Sequence, residues 1–198
     1  RSMIRYRKHA KRLVGNVDWT RFPPCDSTLA LARLVGFFLG DGFAKNDGQH
    51  RANGIEFHLK KSRKIAFLRE VVVELGWELR ELKGNSFIVV ASDLGRLFAL
   101  MFYDMNREKH LPNELLDIEV GHAGAMLDGL RNSAGSIHRG AWTYSTTSAP
   151  LAQAIQRLAI HAGKCCHING DDVLWRLDFL SRMTEPVINQ GKRNTSIE

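Results

Sequence analysis

Residues 29–40 form the run LALARLVGFFLG, apolar except for Arg33 and too long for a strand. It predicts a buried helix, capped within Asp26-Ser27-Thr28 and ending at Asp41-Gly42. Between residues 43 and 60 the pattern changes to a turn-rich middle, Lys45-Asn46-Asp47-Gly48, followed by Ile55, Phe57 and Leu59 in alternation. A period of two around a turn predicts a hairpin. Ser62 is placed to cap a second helix, which Gly76 stops. Strand-like runs over 77–82 and 86–91 flank Lys83-Gly84-Asn85, and helical spacing returns over 93–103.

The same order begins again further on. A helix is predicted over 124–134, strands over 136–139 and 141–147, a helix opened by Ser148 and stopped by Gly163, and strands over 164–168 and 173–179. An internal duplication of this kind predicts an α+β fold of two pseudo-symmetric αββαββα repeats, at 29–105 and 122–198. An inter-repeat linker covers 106–121, and a basic arm and linker, with the breaker Pro23-Pro24, covers 1–28. The ends of the two leading helices correspond, Asp41-Gly42 in one and Ala134-Gly135 in the other. Each carries small residues four apart one turn earlier, Gly36 and Gly40 in the first, Gly129 and Ser133 in the second. Residues at i and i+4 share a helix face, so each helix offers a flat strip, and the two strips predict a helix interface.

Composition adds a partner. Twenty-eight Lys and Arg against 21 Asp and Glu give +7 at pH 7, a surface suited to a polyanion. An apolar content of 44% is enough for one sizeable core or two half-cores. No run approaches a membrane span, and the charged stretch 1–12 does not read as a signal peptide, so an intracellular location, cytoplasmic or nuclear, is expected. Three cysteines suit a reducing compartment. Cys165 and Cys166 beside His161 and His167 match no common zinc spacing.

The run Leu34-Val35-Gly36-Phe37-Phe38-Leu39-Gly40-Asp41-Gly42-Phe43 resembles the first motif of the LAGLIDADG homing endonucleases, especially the intein-type form. The run from Leu127 through Asp128, Gly129, Asn132, Ser133, Ala134 and Gly135 resembles the second motif with both usual acids replaced. Lys109-His110-Leu111-Pro112 is similar to the segment that precedes that second motif, and Tyr144-Ser145-Thr146-Thr147-Ser148-Ala149-Pro150-Leu151 to the one that follows it. The resemblance implies a monomer whose antiparallel sheets form a saddle over duplex DNA. It also implies Mg²⁺-dependent cleavage of both strands, Mn²⁺ being an alternative, and a splicing domain in cis as a further partner.

Phosphodiester hydrolysis needs a hard cation held by oxygen ligands, for which Asp41 and the carbonyl of Gly40 are the candidates. At the second foot Ala134 has no ligand and Asn132 is a neutral substitute. Asp128 lies about 9 Å of helical rise away. The chain is therefore expected to bind DNA sequence-specifically but to cut poorly, at most nicking. A non-cleaving DNA-binding regulator and an RNA-splicing maturase on the same fold are the alternatives. Lys109 matches a family position near the reacting phosphate, and Lys192 is its candidate counterpart. The saddle implies DNA contacts from Lys45, Asn46, Gln49, His50 and Arg51 in the first repeat, and from His138, Arg139, Trp142, Tyr144 and Thr146 in the second. Strand parity, which decides the contact in each alternating pair, stays open.

Overall fold

The computed structural model describes residues 19–44, 54–138, 141–170 and 174–179. Helix α1 (Thr28–Asp41) starts where Ser27 Oγ accepts from Ala30 N at 3.2 Å. Strands β1 (Gly42–Phe43) and β2 (Gly54–His58) follow, then α2 (Ser62–Leu75), β3 (Glu78–Leu82), β4 (Ser86–Val90) and α3 (Leu94–Phe102). The second half has α4 (Val120–Ala134), β5 (Ser136–His138), β6 (Ala141–Thr146), α5 (Ala149–His161), β7 (Cys166–Gly170) and β8 (Trp175–Phe179). The two antiparallel sheets have the same topology, β1-β2-β4-β3 and β5-β6-β8-β7. The closing helix expected of the second repeat, with Lys192, lies outside the described residues, as do Lys45, Asn46, Gln49, His50, Arg51 and Arg139.

The two leading helices pack backbone to backbone. A Cβ on Gly36 would collide with the carbonyl oxygen of Met126, and one on Gly129 with the carbonyl oxygen of Arg33. Counting back from the two helix ends, Gly36 corresponds to Gly129 and Arg33 to Met126, so the contacts are the same pair exchanged. Gly40 and its counterpart Ser133 meet each other, as residues near a two-fold axis must. Only glycine permits such an approach, and the pseudo-symmetry follows from where the glycines stand.

Each sheet has one face on the helices and one open face. Phe57 pairs with Phe87 and Ile55 with Val89, all four buried. Tyr144 pairs with Leu177, both buried, and Trp142 with Phe179, the two rings stacked 3.7 Å apart. Several elements depart from the expected bounds. Helix α4 begins at Val120 rather than 124, although Gly121 and Gly124 weaken its start. His122 offsets them: it is buried, its Nε2 lies 2.9 Å from Thr28 Oγ1, and its ring lies 5.2 Å from that of Trp19. Trp19 and Phe22, expected in a linker arm, are buried in the core. The expected linker is packed as well, with Leu111, Leu115, Leu116 and Ile118 all buried.

Glycines in the leading helices separate into two kinds. Gly36→Ala should lower the unfolding free energy by about 3 kcal/mol or more, because backbone cannot move aside as a side chain can. Gly124 faces open space, and Gly124→Ala should raise it by roughly 0.5–1 kcal/mol. Urea unfolding of both variants checks this; equal effects would contradict the packing described.

Candidate functional site

Close packing of α1 and α4 brings both helix C-termini to one place. The last carbonyls of a helix lack intrahelical donors and carry the negative end of its dipole, so two feet side by side need cations. Three side chains provide them. Lys109 Nζ donates to the carbonyls of Phe38 at 2.9 Å and Leu39 at 3.2 Å, capping α1. Arg63 donates to the carbonyls of Asn132 at 3.2 Å and Gly135 at 3.4 Å, capping α4. Lys64 Nζ donates to Asp41 Oδ2 at 2.6 Å, with both side chains mostly buried.

Lys109 is delivered by a tight loop. Asp104 Oδ1 accepts from the backbone N–H groups of Asn106 and Glu108, and His110 N donates to Phe102 O at 3.0 Å. Burial pushes the Lys109 ammonium down to about 8, partly opposed by the Asp41 charge. Lys61, Arg63 and Lys64 line one cleft with Ser133, Ala134 and Gly135. Gly40, Lys109, Ala134, Tyr144 and Ser148 line a second cleft on the other side of the feet.

Asp41 and Lys109 thus sit together at the feet, and Gly40 lies against Ser133. Asn132 does not reach the foot. Its Nδ2 donates back up the helix to the carbonyl and side chain of Asp128, whose Oδ2 accepts from Arg33 Nε at 3.3 Å. Tyr144 and Thr146 do not face the open side either. They share a strand face with Trp142, and Tyr144 is buried, its hydroxyl pushed up to about 12 by burial. The open face of β6 belongs to Thr143 and Ser145 instead, beside Arg176 and Asp178 of β8. His138 pairs in β5 with Ala141.

Sequence reasoning missed Arg63 and Lys64. One signal was available: Lys60-Lys61-Ser62-Arg63-Lys64 puts cations into the first turn of a helix, the end whose dipole disfavours them. On the open sheet faces the arginines are Arg80 and Arg176, among the described residues. Each is ion-paired to a carboxylate two residues away on its own strand, Glu78 at 2.7 Å and Asp178 at 2.9 Å.

The metal expectation can be tested on these donors. Mg²⁺ takes six oxygens, commonly including one or two carboxylates. No group of three His, Cys, Asp or Glu converges among the described residues. Asp41 is engaged by Lys64, and the other foot ends at Ala134. The donor set as arranged does not fit a pair of divalent ions.

A variant of the homing endonuclease I-DmoI, in complex with its target DNA and in the presence of Mn, superposes with a TM-score of 0.56 at 18% identity. The match covers 77% of this chain and 87% of that one. I-DmoI in complex with DNA and Ca gives 0.56 at 18%, covering 78% and 84%. The chain has the LAGLIDADG endonuclease fold. That fold also matches full-length DUF199/WhiA from Thermatoga maritima, at a TM-score of 0.50 and 15% identity, over 76% of this chain and 50% of that one. No protein-family model and no curated protein matches the sequence. Within the LAGLIDADG fold, the two clefts lie beside the feet of the paired helices α1 and α4.

Lys109 carries a pH signature. Its folded value lies below the ordinary 10.5, so the unfolded chain binds more protons between about pH 8 and 10.5. Stability contributed through this group therefore rises with pH across that window. In urea unfolding, the wild type should gain on Lys109→Met from pH 8 to 10.5; parallel curves would contradict the burial of the ammonium.

Proposed function

We propose that this chain binds duplex DNA sequence-specifically on the open faces of its two sheets and does not cut both strands. The observation that carries the reading is that one of the two helix ends bears an acid: Asp41 closes α1 and is held by Lys64, and Ala134 stands at the corresponding position of α4. The fold supports the DNA partner, as do the complexes of I-DmoI with its target DNA. The intein-type segments 109–112 and 144–151 support a homing-endonuclease origin with a splicing domain in cis.

The proposed contacts are Lys45, Asn46, Gln49, Arg51, His138 and Arg139, joined by Thr143, Ser145, Arg80 and Arg176 in place of Tyr144 and Thr146. Exposed ion pairs such as Arg80–Glu78 and Arg176–Asp178 contribute little to stability, so either guanidinium can leave its carboxylate for a guanine edge or a phosphate. Lys192 remains a candidate neighbour of the scissile phosphate by analogy with Lys109.

Selection of bound sites from a random duplex library, followed by incubation of a plasmid carrying the selected site with Mg²⁺, tests this reading. Affinity should fall steeply with salt, as phosphate contacts require, and no linear product should form. Efficient linearisation would overturn the reading, as would salt-insensitive binding. Arg176→Ala should relax specificity at one base position with a loss of about 1–3 kcal/mol. A uniform loss across all sequences would assign Arg176 to phosphate instead.

A further inference from the structure

We propose that Arg63 and Lys64 stand where divalent ions would be needed, making the paired helix feet a metal-independent cradle for a DNA phosphodiester. The phosphate half of this inference rests on the DNA-binding reading above; the exclusion of metal from Asp41 does not.

Three observations carry it. First, the cations are placed against the local preference. Lys61, Arg63 and Lys64 lie at the start of α2, where the helix dipole repels positive charge. The opposing attraction is visible: Asp41 for Lys64, and the carbonyls of Asn132 and Gly135 for Arg63. Second, the arrangement is one-sided. At the equivalent start of α5 stand Ser148, Ala149, Pro150 and Leu151, with no cation. The helix-start cations therefore line the cleft on the α2 side, whereas the cleft at the start of α5 takes its cations, Arg107 and Lys109, from the loop before α4; Ala134, the foot that lacks an acid, borders both. Charge that a carboxylate and metal would carry together is supplied there by side chains alone. Third, those charges exceed their partners. Among the described residues Lys61, Arg63, Lys64, Arg107 and Lys109 surround the feet, against the carboxylates of Asp41 and Glu108. A divalent ion entering at Asp41 must share its carboxylate with Lys64 and meet the ammonium's repulsion, whereas a phosphate monoanion meets an excess of positive charge.

The cradle binds and orients a phosphodiester and activates no water. Lys64 also keeps Asp41 from repelling the phosphate, which an unpaired carboxylate at the same place would do.

Two measurements on the full chain test it. In an EPR titration with Mn²⁺, the wild type should show no site at Asp41. Lys64→Met, or Lys64→Gln if the first variant folds poorly, should gain a site that Asp41→Asn in the same background removes. Fluorescence anisotropy with a random-sequence duplex should give the wild type equal affinity in EDTA and in Mn²⁺. The pair Arg63→Met and Lys64→Met together should bind about tenfold more weakly in EDTA. Micromolar Mn²⁺ binding by the wild type that Asp41→Asn abolishes would overturn the inference. So would a large rise in wild-type duplex affinity on adding Mn²⁺. Duplex binding by neither protein under any condition would instead overturn the DNA reading, while the Mn²⁺ titration still decides whether Lys64 excludes metal.

Discussion

Contact between the backbones of α1 and α4 sets the terms for everything around it. Gly36 against Met126 and Gly129 against Arg33 let the two helices approach without intervening side chains, and Gly40 meets Ser133 at the end of the seam. Two negative dipole ends are then forced together, which is unfavourable unless positive charge is brought in. In this chain Lys109, Arg63 and Lys64 bring it, each from a different distance along the sequence. The site is thus a consequence of the packing, and its chemistry depends on which cation answers the charge.

Pseudo-symmetry organises the frame but not the site. The sheets repeat strand for strand, and the helix contacts exchange with their counterparts. The buried side chains differ: Phe37, Phe38, Phe57 and Phe87 fill the first half, whereas among the described residues of the second Leu151, Ile155, Leu158 and Leu177 pack beside Tyr144 and Phe179. Charge is equally one-sided, with basic residues opening α2 and none opening α5. A duplex lying over such a molecule would meet two similar surfaces above two different feet.

Much of the frame was legible in the sequence because it rests on local pattern. The apolar run before Asp41, the glycines four apart and the helix stops at Gly76 and Gly163 are all properties of neighbouring residues. What escaped depends on contacts across the chain. Lys64 is 23 residues from its partner Asp41, and Arg63 reaches carbonyls in the other repeat, so neither cation is tied to the feet by local pattern. The parity around Tyr144 was not legible, because Thr143, Ser145 and Thr146 put polar residues on both faces of the strand. Trp19 and Phe22 looked like part of a linker because Pro23-Pro24 follows them, yet their rings close the top of the seam against His122 and Phe98.

Occupancy of the place beside Asp41 decides between a metal site and a cation clasp. Anomalous diffraction from crystals soaked in Mn²⁺, with and without bound duplex, reads it directly. The account predicts no manganese within ligand distance of Asp41 and Lys64 Nζ still on Asp41 Oδ2. A manganese peak bridging Asp41 and the carbonyl of Gly40, with Lys64 swung away, would contradict it.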